Sequence, residues 1–509
     1  MSEAGAFARR RRRASPALIA AFAALSMTAA ACGQLPGVHQ EFASGTGATQ
    51  DDLGVGPAAG EGAAGEETVG GATGGRRRTT VREGGAAGGG GTSEGTGTAA
   101  PGAGDRTGIF RDRIVIGIHA PVTGAAPVQA QAFESGKDLY WRWLERKGQS
   151  VFGRKVEVVF KDDTYSPSVA AQRCQEMAQR NKAFLLIGGA GTDQIAACAR
   201  YTAQNGIPYL SAGVTEEGVA PYKSYFAISA SYRSQGPILA QMLLRKFGAS
   251  RLDQVSPGGI AQPDGQVRIA MIRANTPNFD DAEAGFRQGL QQAGFNMSNF
   301  FVYNLPKEDS PTLRSAIAAA IQDMAARGID VVNTLIAPVV VIEFVQEADS
   351  RGYRPRYAAV GISTVNQVSN ILCQSAPESY DGADVFFPWP GWPEVMQGRF
   401  DPEFRQAVEA FEDAQSVNSV QSGGDILLSL WGTMKVVHQM FLAAGPEMTR
   451  QSFVSALEGG KLLSTGVYPD LRYSASQGAH FGTKSVYRLE VECGTDRAFH
   501  YREGPVSGY

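Results

Sequence analysis

The sequence predicts an α/β protein made of two doubly wound parallel-sheet lobes. Three observations predict it. Short apolar runs alternate with helical patterns from Ile114 to Ser229. A second series of the same kind runs from Arg268 to Val360. Between Phe184 and Thr215 one strand–helix–strand unit is complete, and strands joined through a helix are parallel.

The run Phe184–Ile187 ends in Gly188-Gly189. A helical pattern follows, with Ile195, Cys198, Ala199 and Thr202 at i, i+3, i+4 and i+7. Gly206 stops the helix, and Pro208 opens a second apolar run that ends at Ser211. Both strand ends carry small or hydroxyl residues, Gly189-Ala190-Gly191-Thr192 and Ser211-Ala212-Gly213-Val214-Thr215. Ligands of open parallel sheets sit outside such carboxyl ends. Backbone N–H groups, Thr hydroxyls and the positive end of the helix that starts at Thr192 can together hold a carboxylate. The same residue types also build ordinary βα turns.

In chain order, Ile114–Ile118 is the first strand and Pro121–Gly124 the loop after it. A helix then places Phe133, Gly136, Tyr140, Trp143 and Leu144 on one face. Lys155–Lys161 is a strand ending in Asp162-Asp163, and Ser166-Pro167 caps a helix with Ala170, Cys174, Met177 and Ala178 inward. Tyr225–Ser229 closes the first series. The second has strands at Arg268–Arg273, Asn299–Tyr303, Val331–Leu335 and Arg356–Val360, with helices at Asp280–Ala293, Thr312–Arg327 and Val339–Arg351. Two units of about 120 residues each result. Ala383–Phe387 is a further strand, followed by the loop Phe387-Pro388-Trp389-Pro390-Gly391-Trp392. Helices at about Pro402–Ala414, Asp425–Ala443 and Thr449–Leu457 complete both lobes.

The chain has 509 residues, 43% hydrophobic and 19% charged, enough for two or three cores. With a formal net charge of −3, nothing in the composition suggests nucleic acid as a partner. Residues 1–31 read as an export signal: Arg9–Arg13 are its basic start and Ala14–Ala31 its apolar body. Without them 42 Lys+Arg face 49 Asp+Glu, a net −7. No other apolar run approaches the ~20 residues of a spanning helix. Residues 32–108 are a Gly/Ala-rich tether without hydrophobic period, with an r.m.s. reach of roughly 50 Å.

Ala29-Ala30-Ala31-Cys32-Gly33 resembles the lipobox of bacterial lipoproteins, with Ala29 where Leu is usual. The resemblance implies acylation of Cys32 and a membrane anchor outside the cytoplasm; ordinary cleavage nearby is the alternative. The four remaining cysteines, Cys174, Cys198, Cys373 and Cys493, suit two disulfides in an oxidising compartment, with three connectivities open. A strand order of 2-1-3-4-5 in the first sheet would put the helices carrying Cys174 and Cys198 on one face. That favours Cys174–Cys198 and leaves Cys373–Cys493; four free thiols are the alternative.

The series Ile114–Gly124, Val151–Lys155 before Asp162-Asp163, Gly206-Ile207-Pro208, Ser211–Thr215 and Ser234–Pro237 resembles the leucine/isoleucine/valine-binding family of type I periplasmic solute-binding proteins, the receptors of ABC importers. The likeness runs from about Arg111 to Val506. It implies two lobes joined by a three-strand hinge: 109–230 with about 386–465, and 231–385 with about 466–509. Carried over residue by residue, the solute contacts fall on Gly191, Thr192, Gly213, Val214 and Thr215 in the first lobe. An aromatic of the family falls on Val128, two tyrosines on Phe279 and near Ala337, and the acid that pairs with an α-ammonium on Ser363. A buried ammonium needs a charged partner or strong acceptors, so Ser363 argues against an ordinary α-amino acid unless Asp280 or Asp281 substitutes. Phe387, Trp389 and Trp392 are further candidates for apolar contact.

Catalytic signatures are missing from Ile109 onward: there is no GxSxG, HExxH, Walker A or full GxGxxG, and the letter matches Gly91–Gly95 and Gly60–Gly65 fall in the Gly-rich tether, without the strand and helix such motifs need. The five His do not cluster, and Asp162-Asp163 point to opposite faces of a strand. The expectation is a non-enzymatic receptor without cofactor or metal, monomeric, whose partners are a small solute, the permease subunits and, through lipid, the membrane. A cell-surface sensor of the same fold and an extracytoplasmic hydrolase are the alternatives.

Overall fold

The computed structural model describes residues 104–213, 216–247, 267–276, 279–360, 365–387, 389–476, 480–495, 499–501 and 505–506. Residues 1–103, with Cys32 among them, Val214, Thr215 and Ser363 lie outside them, so of the expected tether only 104–108 are described, and there Asp105 pairs with Arg450 at 2.7 Å instead of hanging free.

The first sheet is built from β1 (Arg113–Ala120), β2 (Lys155–Asp162), β3 (Leu185–Gly188), β4 (Tyr209–Ser211) and β5 (Tyr225–Ala227). Its order is β2-β1-β3-β4-β5 and every pair is parallel. The connecting helices are α1 (Ala130–Gly136), α2 (Leu139–Arg146), α3 (Pro167–Gln179) and α4 (Thr192–Gln204). The expected single helix through Phe133 and Leu144 is two, α1 and α2, broken at Lys137-Asp138. Cys174 on α3 and Cys198 on α4 are fully buried and bonded to each other.

The chain then crosses into the second sheet. α5 (Tyr232–Phe247) leads to β6 (Ile269–Ala274), α6 (Asp280–Gln292), β7 (Phe300–Leu305), α7 (Leu313–Arg327), β8 (Val331–Leu335), α8 (Pro338–Ser350), β9 (Arg356–Val360), α9 (Val365–Ser375), α10 (Pro377–Tyr380) and β10 (Asp384–Phe387). Strands β6 to β10 are parallel. Helices α5 and α6 meet backbone to backbone: a Cβ on Gly236 would lie 2.3 Å from the Phe286 amide, and one on Gly285 would lie 2.2 Å from the Arg233 carbonyl.

Next the chain returns to the first lobe as α11 (Trp392–Met396), α12 (Pro402–Ala410), α13 (Glu412–Ser416), α14 (Gly424–Ala444) and α15 (Arg450–Glu458). The expected helix Pro402–Ala414 is interrupted at Phe411, whose backbone is extended. At 21 residues α14 is long and apolar enough to span a bilayer by composition, against the expectation for this region. Its apolar faces instead pack on α1, α2 and α15, with Trp431 and Met434 fully buried.

The last return corrects the expected boundary at about 466. Tyr473 and residues 480–482 lie along the edge strand of the first sheet, not with the second lobe. Ala227 N–H bonds the His480 carbonyl at 2.8 Å, Tyr473 donates to the Ala227 carbonyl at 3.1 Å, and Phe226 stacks on His480. Only from β11 (Val486–Cys493) does the chain rejoin the second sheet, antiparallel to β10, with β12 (Phe499–Tyr501) and β13 (Pro505–Val506). Cys493 is bonded to Cys373 of α9. The two sheets are thus linked by three crossings, after β5, after β10 and before β11.

Candidate functional site

A cavity of about 420 Å³ lies between the carboxyl ends of the two sheets. Each wall follows from the topology, because parallel strands send their loops to one end. The first lobe supplies the loops after β1, β2 and β3 and the end of β4. The second supplies the start of α5 and the loops after β6, β7 and β8. Trp389, from the crossing after β10, and Ile426, Ser429 and Leu430, from α14, line it as well.

The structure brings most of the expected site residues together here. Val128, Gly191, Thr192 and Gly213 line the cavity from the first lobe; Phe279 and Ala337 line it from the second. Of the aromatic candidates, Trp389 lines it, whereas Trp392 is buried against Phe404 and Gly424. The side chain of Phe387 is outside the described residues. Asp280 and Asp281 are not in the wall: Asp280 is 2.6 Å from Arg273, and Asp281 faces Arg233 at 3.8 Å.

Thr192 is the first residue of α4, after Gly191 at φ +83°. The Tyr232 phenol, from α5, faces Thr192, and burial pushes it up to about 12. It therefore stays a neutral partner at physiological pH. Across the mouth, Lys307 Nζ lies 3.5 Å from Asp193 Oδ2, and the Tyr165 phenol faces Glu308. Consecutive residues of the loop after β7 thus touch two different elements of the first lobe. The rim is acidic: Glu216, half-buried, is raised by burial and then by Asp281 and Asp193.

Sequence reasoning missed how Asp162 and Asp163 act. They are no catalytic pair but anchors for two cavity loops. Asp162 accepts from the N–H groups of Val122 and Thr164 and from the Thr123 hydroxyl. Burial works to raise Asp162, and these bonds outweigh it and hold the carboxyl below its ordinary value. Asp163 is fully buried; one oxygen takes the Tyr165 N–H at 3.0 Å and the other meets His119 Nδ1 at 2.7 Å. His119 Nε2 in turn meets the Tyr209 hydroxyl at 2.8 Å. His119 is therefore a buried support and does not line the cavity. The bonds hold Thr164 and Tyr165 in the left-handed region, at φ 54° and 57°, a conformation that costs non-glycine residues about 1–3 kcal/mol each. The visible signal was the adjacent pair of acids before a turn, where Asp side chains often bond N–H groups two residues on.

Comparison with known proteins agrees with this geometry. Residues 113–496 match the periplasmic binding protein family, and the chain belongs to it. Members of that family are solute receptors and not enzymes. No curated protein matches the chain. Among solved structures, a solute-binding protein of an ABC transporter from R. palustris in complex with 4-hydroxybenzoate is similar at 17% identity, with 78% of this chain and 98% of that one covered and a TM-score of 0.59. A possible leucine/isoleucine/valine-binding protein from Rhodopirellula baltica is similar at 15% identity, covering 78% and 98%, with a TM-score of 0.61. A fatty acid ABC transporter substrate-binding protein from Thermomonospora curvata is similar at 14% identity, covering 80% and 95%, also with a TM-score of 0.61.

Proposed function

We propose that the chain is the extracytoplasmic solute receptor of an ABC importer, near the leucine/isoleucine/valine-binding branch of its family. It binds a small carboxylated solute, amino-acid-like or otherwise, between its lobes and closes on it by bending at the three crossings. The observation that carries this reading is the cavity walled by both lobes at their strand ends, with the start of α4 and Thr192 in the wall. Backbone N–H groups there suit a carboxylate, and Thr192 adds a hydroxyl. Gly191 and Gly213 let the solute approach the backbone, while Val128, Phe279 and Ala337 take its apolar part. Val214, Thr215 and Ser363 belong to the same proposed contact set. The organic acids named with the similar structures fit the same class.

Cys32 carries lipid in this reading, residues 1–31 are removed, and the tether holds a monomer outside the cytoplasmic membrane. Titration calorimetry against a panel of small organic acids and amino acids tests the receptor reading. Stoichiometric binding without turnover is expected. Conversion of a panel member, or no binding by any, would contradict it.

A further inference from the structure

The cavity has room that a single amino acid or a benzoate leaves unused. Its volume of about 420 Å³ holds roughly 14 non-hydrogen atoms at the ~30 Å³ that one water takes in the liquid. Leucine or benzoate fills about two thirds of that. The volume is not that of a splayed cleft, because Lys307 meets Asp193 and Tyr165 faces Glu308 across the mouth. Charge and apolar surface are separated along the wall. Its charged side chains among the described residues, Asp193, Lys307, Glu308 and Asp309, come from the start of α4 and the loop after β7. Val128, Phe279, Ala337 and Pro338, all half-buried, offer apolar surface, and Ile426 and Leu430 of α14 add to it. A second charge on the solute would have no partner against that part of the wall, and an unpaired charge is costly to bury. The room exists because the side chains at 128 and 337 are short; an aromatic ring at either place would fill much of it.

We propose that the solute is a monocarboxylate with an uncharged apolar body of about ten to twelve carbon atoms, larger than leucine or benzoate. This rests on the carboxylate reading of the same cavity and adds the size and the single charge. A shorter acid leaves part of the apolar wall against water or a void, and so gives up the gain of covering it.

The test is a length series: butanoate, hexanoate, octanoate, decanoate, dodecanoate and hexadecanoate, with leucine and benzoate beside them. Calorimetry on the full chain is expected to show affinity rising about fourfold per added carbon and peaking at decanoate or dodecanoate. Ala337→Phe and Val128→Phe, read in whichever variant keeps the wild-type melting temperature, are expected to move the peak to octanoate or shorter. Affinity still rising at hexadecanoate, or a peak that neither variant moves, marks adsorption outside the cavity and overturns the proposal. Tightest binding of octanoate, a shorter acid, leucine or benzoate by the wild-type chain overturns it too, while sparing the carboxylate reading. No binding by any carboxylate overturns both.

Discussion

Asp425 of α14 accepts hydrogen bonds from the backbone N–H groups of Asn366, at 3.0 Å, and Gln367, at 3.2 Å, and from the Asn366 amide side chain. A helix packed on the first lobe thereby caps α9 of the second. Asn366 Oδ1 also takes the Trp392 N–H at 3.0 Å, just past one of the crossings. The two lobes are joined near their hinge by a buried carboxylate as well as by chain.

That carboxylate titrates in an accessible range. Burial pushes Asp425 up to about 7, outweighing the bonds from Asn366 and Gln367, which act to lower it. The folded chain therefore binds this proton more tightly than the unfolded chain. The stability so gained is full below about pH 4 and is lost as pH rises through about 7. Thermal melts at pH 5.5 and pH 8 are expected to show this loss, with Asp425→Asn flattening it by about 2 °C or more. An unchanged difference in the variant would contradict the assignment.

Thr192→Ala is expected to weaken solute binding by roughly 1–3 kcal/mol, the loss of a hydrogen bond to a charged group. Calorimetry reads it directly, and Thr215→Ala is expected to act in the same direction.

The Lys307–Asp193 contact is partly exposed, with side chains 53% and 34% accessible. Exposed pairs contribute about 0.2–1 kcal/mol. Lys307→Ala is therefore expected to speed solute release by only about 1.5- to 5-fold in stopped-flow measurements, and less at high salt. A larger effect would mean that Lys307 touches the solute itself.

Replacing Cys174 and Cys198 by Ser is expected to lower stability by roughly 2–4 kcal/mol, read by denaturant titration. Free thiols at both positions in exported protein would remove the basis for that figure.

Much of this architecture was legible in the sequence because it is locally encoded. Gly188-Gly189, Gly206 and Pro208 mark the ends of β3 and α4 and the start of β4 within a few residues. The handedness of parallel crossovers then brought Cys174 and Cys198 onto one face. What stayed hidden depends on contacts far apart in sequence. Nothing local marks Tyr473 and His480 as partners of β5, some 250 residues earlier. The break between α1 and α2 is likewise invisible, because Phe133 and Leu144 keep helical spacing across Lys137-Asp138. In the cavity, Gly191 and Thr192 were readable from strand ends. Lys307 and Glu308 were not, since a charged pair after a strand looks like any solvated loop.

Native mass spectrometry of the protein purified from its own cell envelope tests the central claim most directly. The account predicts one small organic acid retained per chain and lost in Thr192→Ala. Wild-type protein that carries no such acid, or a variant that keeps it in full, would contradict it.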